Sequence, residues 1–384
     1  MEIQASPLEP EIIRTLADGN GDGRDPLRIA MVAPPWFSIP PQGYGGIESL
    51  VSWLTERLVE RGHDVTLVAA SPSRTSARFR ATFAQPPSDR LGEALTEVIH
   101  AARTRTILEE IDPDVIHDHS TAGPLLAEAS PPTILTAHGP VRGDFGVYYQ
   151  SLAHRVGLVA ISEAQRNLAP ELPWFAMVHN AVPVAEYTFR REKDDFALFL
   201  GRMSPDKGAH LAIEACREAS RRLVLAAKCS EPEEIEYFER EVKPRLGADA
   251  EWLGEVDLDA KHDLLARAGC LVFPIQWDEP FGLVMTEALA CGTPVVACGH
   301  GSVPEIVDDG VTGYVCAEPA ELPEAIRRVG DINPEACRDR ATSMFDIDVM
   351  VSGYERAYRR AIARVAERPR RVSDPAVYSE KLSG

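Results

Sequence analysis

Three observations predict an α/β chain of two parallel-sheet domains. Short apolar runs of strand length alternate with helical stretches along most of the sequence, an alternation that implies right-handed crossovers and parallel strands. The pattern restarts after about Val184. At 384 residues the chain is also longer than one hydrophobic core usually organises.

Residues 28–33 read as the first strand, followed by a loop and an amphipathic helix over 47–61 that Gly62 stops. A second strand is expected at 64–69, a helix near 91–110, and strands at 115–117, 133–136 and 158–161. Each is short and apolar, as strands buried on both faces are. The stretch 182–195 is charged and without period, which places the linker there. The second half then runs strand 196–200, helix 208–219, strand 222–227, helix 233–246, and strands at 251–253, 270–273 and 294–297. A long helix is expected over 347–367. The boundaries implied are a loose extension over 1–26, a first domain over 27–185, a second over 186–365 and a tail over 366–384.

Composition excludes several classes of function. The net charge is −19, against the basic footprint of nucleic-acid binders and against a firm hold on anionic lipid. The basic run from Arg74 to Arg105 reads as solvated helix faces and a loop. No apolar run approaches the ~20 residues of a membrane span, and the amino terminus does not resemble a secretory signal. Seven cysteines, an odd number without Cys-x-x-Cys spacing, read as small core residues of a reducing cytoplasm. Asp18-Gly-Asn-Gly-Asp-Gly23 imitates the start of a calcium loop, but the position that needs a bidentate acid is Ile29, so calcium is not expected.

The most informative segment is Glu279-Pro-Phe-Gly-Leu-Val-Met-Thr-Glu287. It follows an apolar strand, breaks at Pro280 and Gly282, then reads as a helix. Glu279 therefore sits on a loop at a strand's carboxyl end, where open α/β sheets bind ligands. Glu287 lies about two turns on, at about 3.6 residues per turn. One carboxylate can face the reacting end of a ligand while the other reaches a hydroxyl pair.

With Glu287-Ala-Leu-Ala-Cys-Gly-Thr-Pro-Val-Val-Ala297 and Pro304-Glu-Ile-Val-Asp-Asp-Gly-Val-Thr-Gly-Tyr314, this segment resembles the nucleotide-sugar half of retaining family-four glycosyltransferases. Gly201-Arg202 with Lys207-Gly208, His179-Asn180, Ile161-Ser162-Glu163, Thr136-Ala-His-Gly139 and Gly43-Tyr-Gly-Gly46 match in the same order, so the resemblance spans roughly residues 28 to 365. It implies the GT-B fold, two Rossmann-like domains facing a cleft, with the tail crossing back toward the first domain. It further implies transfer of a hexose from a nucleoside diphosphate sugar to a hydroxyl, with retention, without cofactor or metal. UDP-glucose is the first expectation for the donor and GDP-mannose the second. A nucleotide-sugar 2-epimerase and a non-catalytic nucleotide-sugar-binding protein are the alternatives of the same architecture.

The resemblance also assigns roles. Gly45 and Gly46, before the first helix, would lie against the donor diphosphate, since glycine allows close approach and helix amino termini favour anions. Arg202 and Lys207 would stabilise the leaving group. Glu287 would hold the ribose hydroxyls, and Glu279 would lie by the sugar ring. The backbone N–H groups of Phe281, Gly282 and Leu283 would hold sugar hydroxyls and phosphate. His138 would donate to a sugar hydroxyl. His117 and His119 would line the cleft, and Ser162 and Asn180 match cleft positions that capping and turns explain almost as well. Asp112-Pro-Asp114 has metal-binding spacing but precedes a strand, the wrong end for a ligand. Two departures stand out: Lys228-Cys-Ser-Glu231 replaces a glycine-rich turn, and Ala181 and Pro183 replace the usual glycine and aspartate after Asn180.

Overall fold

The computed structural model describes residues 25–367 except 42, 44, 153 and 154. The calcium-like stretch, nearly all of the expected amino-terminal extension and nearly all of the tail lie outside the described residues.

The first half runs β1 (Arg28–Val32), α1 (Gly46–Glu60), β2 (Asp64–Ala70), β3 (Arg78–Phe83), α2 (Ala94–Ile111), β4 (Val115–Asp118), β5 (Thr133–Thr136), α3 (Asp144–Leu152), β6 (Val156–Ala160), α4 (Glu163–Leu168) and β7 (Trp174–Met177). Its seven strands form one parallel sheet in the order β3-β2-β1-β4-β5-β6-β7. The second half runs β8 (Phe196–Arg202), α5 (Ala209–Glu218), β9 (Arg222–Lys228), α6 (Pro232–Tyr237), β10 (Ala250–Trp252), α7 (Leu258–Arg267), β11 (Cys270–Phe273), α8 (Leu283–Ala290), β12 (Val295–Cys298), α9 (Val303–Ile306), β13 (Gly313–Cys316), α10 (Leu322–Arg328), α11 (Pro334–Phe345) and α12 (Ile347–Ala366). Its six strands, also parallel, lie in the order β10-β9-β8-β11-β12-β13. Two such α/β sheets facing a cleft make the GT-B architecture.

In each sheet the strand order reverses at one pair of neighbours, β1 with β4 and β8 with β11. Loops leaving such a pair diverge and open a crevice, so the topology places both ligand-binding crevices at the cleft. The strands are apolar and nearly dry; Ile29, Met31, Leu198 and Leu271 are at most 1% exposed.

The last helix joins the halves. α12 begins at the junction of the two halves, where the Ile347 amide donates to the Val182 carbonyl at 3.0 Å. It then buries Tyr354 and Tyr358 against the first sheet. Arg61 holds its outer face through Asp348 and Glu355, each at 2.9 Å.

Several local readings needed correction. Residues 78–83, read as helix face and loop, form edge strand β3, with Arg78 paired to Asp64 at 3.1 Å. Charged side chains are how exposed edges are kept from pairing with other chains. Strands β7 and β13 were not expected. The helix expected over 233–246 breaks into α6, a π-helical turn at Phe238–Val242 and a 3-10 turn at Lys243–Arg245, because Pro244 lacks the N–H a helix interior needs. Asp114, not expected to face a ligand, binds Arg28 at the start of β1 at 2.7 Å. All seven cysteines are free, six of them buried. Among the described residues, no helix is long and apolar enough to cross a membrane.

Candidate active site

A cleft of about 710 Å³ lies between the two sheets. Gly45, Gly46, His119, His138, Asn180, Arg202, Lys207, Glu279, Phe281, Gly282, Leu283 and Glu287, all expected at the site, line it.

Two helix amino termini meet across this cleft. Gly45 precedes α1 with no side-chain cap, and a Cβ there would fall 2.7 Å from the Pro41 side chain. A Cβ added to Gly46 would come within 3.6 Å of Leu283, the first residue of α8 in the other domain. Gly282 opens α8 at φ +75°, and a Cβ there would lie 2.8 Å from the Met285 side chain and 3.4 Å from those of Phe273 and Glu279. The first N–H groups of both helices lack intrahelical partners and carry the positive end of the helix dipole. An anion placed between them faces both.

The loop after β11 is built from its neighbours' backbones. A Cβ at Gly301 would lie 2.3 Å from the Glu279 carbonyl oxygen, so only glycine lets this approach happen. Ser302 fastens the same loop, its amide donating to the Glu279 carbonyl at 3.0 Å and its hydroxyl to that of Phe281 at 2.6 Å. Gly208, at φ +73°, performs the same service for the β8 loop, since a Cβ there would meet the Pro274 carbonyl at 2.4 Å. These contacts bring Lys207 into an ion pair with Glu279, both mostly buried. The Lys207 ammonium also lies 5.5 Å from the Trp277 ring centroid. The Arg202 side chain has no ion pair among the described residues.

Glu287 is buried inside α8, where it accepts from the Tyr187 hydroxyl at 3.1 Å and pairs with Lys261 at 2.6 Å. Lys261 was not anticipated. It lies on α7, and nothing in its local sequence marks it as a partner of α8.

On the first domain, three histidines stand at the ends of β4 and β5. His138 Nε2 and His119 Nδ1 are 2.7 Å apart, and His119 Nε2 is 3.3 Å from the Met31 sulfur. A thioether accepts but cannot donate, so the network assigns the proton of His119 to Nε2. His119 Nδ1 is then the acceptor, His138 donates from Nε2, and His138 Nδ1 is left bare. Burial holds all three rings neutral, with His138 pushed down to about 4.

His117 does not line the cleft, contrary to expectation. It is fully buried and bonds Tyr358 and Thr136 at 2.7 and 2.8 Å. The ring next to it in the fold, His119, takes the cleft position because its strand residue is two further along.

The chain matches two family models in tandem, "Glycosyltransferase Family 4" over residues 44–185 and "Glycosyl transferases group 1" over residues 186–342. Its structure is similar to that of AviGT4, a glycosyltransferase involved in avilamycin A biosynthesis, at 30% identity and a TM-score of 0.69, over 88% of this chain and 98% of that one. The chain belongs to glycosyltransferase family 4. It is also similar to the glycogen synthase of Mycobacterium tuberculosis, 27% identical over 86% of this chain and 94% of that protein. A phosphatidyl-myo-inositol mannosyltransferase of the same organism is 26% identical over 88% and 93%. The match favours a glycosyltransferase over an epimerase.

Within this glycosyltransferase two further residues hold the site, and sequence reading passed over both roles. Gln165 donates from its amide nitrogen to the carbonyls of Ala137 and Gly139 at 2.7 and 2.9 Å, gripping the backbone on both sides of His138. Glu305, in the Pro304-Glu-Ile-Val segment, reaches from the second domain to the first. It accepts from the Glu163 amide and from His179 Nε2, both at 2.9 Å, and from the Ala164 amide. Burial alone would raise its pKa; these hydrogen bonds hold it below the ordinary carboxylate value. Ser162 caps α4, accepting from the Gln165 amide at 2.9 Å, rather than facing the cleft. Asn180 does line the cleft, and its Oδ1 is buried without a partner among the described residues.

Proposed function

We propose that this glycosyltransferase moves a hexose from a nucleoside diphosphate sugar to a hydroxyl acceptor with retention at the anomeric carbon. The observation that carries the reading is the meeting of two helix amino termini, α1 and α8, in the cleft that Arg202 and Lys207 also line. That is a site for a diphosphate, whose charge grows as its bond to the sugar breaks.

The roles follow from placement. Glu287, preset by Tyr187 and Lys261, accepts from the ribose hydroxyls. Glu279 stabilises positive charge on the sugar ring, and Lys207 is shared between it and the leaving phosphate. The N–H groups of Phe281, Gly282 and Leu283 hold phosphate and sugar oxygens. His138, bare at Nδ1, accepts from a sugar hydroxyl where donation was expected; His119 fixes its proton, and Asn180 meets the ligand from the hinge side. Front-face transfer breaks the C1–O bond to phosphate and forms C1–O to the acceptor. The acceptor's proton leaves on the nucleoside diphosphate. No second carboxylate nucleophile is required, unlike in retaining hydrolases. The fixed cations replace a divalent ion, so the reaction is metal-independent.

The donor is proposed as a UDP-hexose, with GDP-mannose second. Incubation with UDP-glucose, GDP-mannose and ADP-glucose, with excess chelator present, tests the reading. Nucleoside diphosphate release and a product of unchanged anomeric configuration are expected. Epimerised donor, binding without turnover, or activity that returns only with manganese or magnesium would overturn it.

A further inference from the structure

The two walls of the cleft differ in their cations. Arg202, Lys207, Lys228 and Lys261 line it from the second domain, beside the carboxylates of Glu255, Glu279 and Glu287. The described lining residues of the first domain include the carboxylates of Glu48 and Glu97 and no lysine or arginine. Glu97 is held in place on α2 by the amides of Thr121 and Ala122, each at 3.2 Å. Glu48 lies buried in the first turn of α1, and burial pushes it up to about 7.

This first-domain wall is also aromatic, with Trp36, Phe37, Trp53, Phe145, Tyr148 and Tyr149. Its rim is left in water: Leu91 and Phe145, both at the cleft, are 55% and 43% exposed. Leu95 and Val98, on the first turns of α2, are 62% and 53% exposed. Neighbouring large apolar side chains kept in solvent mark a surface that binds something. A phosphate or carboxylate brought here, away from the α1 amino terminus, would meet Glu97 and no fixed cation. A sugar ring or an apolar group would meet aromatic faces.

On the reading of the cleft as a transferase site, we infer that the acceptor is an uncharged hydroxylated molecule with an apolar face, laid on Phe145, Leu91 and the neighbouring aromatic side chains. Its hydroxyl oxygen bonds to the donor C1 as the C1–O phosphate bond breaks, and its proton leaves on the diphosphate. The apolar face is either the C–H face of a sugar ring or a non-sugar group attached to it.

Donor binding to the full chain is first measured by calorimetry with UDP-glucose, GDP-mannose and ADP-glucose; no binding by any of them would sink the transferase reading itself. With the donor that binds, nucleoside diphosphate release is followed with methyl β-glucoside, octyl β-glucoside, glucose 6-phosphate and phosphatidylinositol vesicles. The two neutral glucosides should stimulate release and the two anionic compounds should not. Equal rates for both glucosides assign the apolar face to the ring, and a faster octyl glucoside assigns it to the attached group. Phe145→Ala should raise the KM for the better glucoside about tenfold, the scale of one aromatic contact. Val147→Ala, 69% exposed and away from the cleft lining, should match the wild type. Stimulation by either anionic compound at or above that of the glucosides, or a bound donor with no response to either glucoside, would overturn the inference.

Discussion

The second-domain and first-domain walls of this cleft are built on different principles. The second domain presets charge: Glu279 with Lys207 and Glu287 with Lys261 are ion pairs formed before any ligand arrives. The first domain presets shape and proton position, through buried neutral histidines, aromatic side chains and a glycine loop. A wall of fixed charges suits a diphosphate and a nucleoside, which every donor of this kind shares. A wall of aromatic side chains can be rebuilt without touching the chemistry. On the proposed reading, the difference puts most of the catalytic charge on one domain and acceptor choice on the other, and substitutions on the two walls should therefore fail differently.

The largest effect belongs to the charged wall. Lys207→Ala or Arg202→Ala should lower turnover about 10²–10³-fold, the scale for one lost transition-state electrostatic donor. Lys207→Ala also leaves the mostly buried Glu279 without its cation. Circular dichroism should show the fold intact while nucleoside diphosphate release collapses. Turnover near the wild-type rate would break the comparison at its root.

The two glutamates sharpen it. Glu279→Gln removes charge near the sugar and should mainly lower kcat, because charge on the ring builds only in the transition state. Glu287→Ala removes a contact made equally in ground and transition states and should mainly raise the donor KM. Each effect should be about 10- to 100-fold, as for hydrogen bonds to a charged group. Steady-state kinetics with acceptor saturating separates the two, and reversal of the pattern would exchange their roles.

On the other wall, Gln165→Leu frees the backbone flanking His138. It should lower kcat about tenfold, the loss of roughly one buried hydrogen bond. Donor affinity should stay, since Gln165 touches no cleft-lining charge. Gln165→Glu keeps one acceptor for the Ile161 amide, now at 2.9 Å, but cannot donate to Ala137 and Gly139; it should be as impaired as the leucine variant.

What the sequence revealed and hid follows this division. Glu279, Gly282, Leu283 and Glu287 fall within one loop-and-helix segment, so local spacing exposes them. Gln165, Lys261 and Glu305 act across 28, 26 and 142 residues, and no local pattern encodes such reach. The central strands were legible because burial on both faces makes them continuous apolar runs. Strand β3 was not, because at the sheet edge its arginines alternate with apolar residues. Strand β13 opens on Gly313, which reads as a turn; the fold needs glycine there because a Cβ would lie 1.9 Å from the Val295 carbonyl oxygen. His117 misled because a strand-end histidine looks alike whether its ring faces a ligand or a tyrosine of a distant helix.

The last expected effect, on stability rather than rate, tests how the walls are held together. Glu305 clasps the first domain through His179 and the amides of Glu163 and Ala164, and its folded pKa lies below that of the unfolded chain. A depressed carboxylate stabilises the folded state above the unfolded pKa, near 4.3, and that contribution fades as pH falls through the folded value. Glu305→Gln keeps the shape and loses the charge. It should cost about 1.5–3 kcal/mol at neutral pH, the range for hydrogen bonds to a charged group. The gap between wild type and variant should then close as the pH drops below about 4. Denaturant unfolding from pH 7 to pH 3 measures it. A gap that stays constant with pH would mean that Glu305 holds the domains by packing, leaving the charge of the clasp without a role in bringing the two walls together.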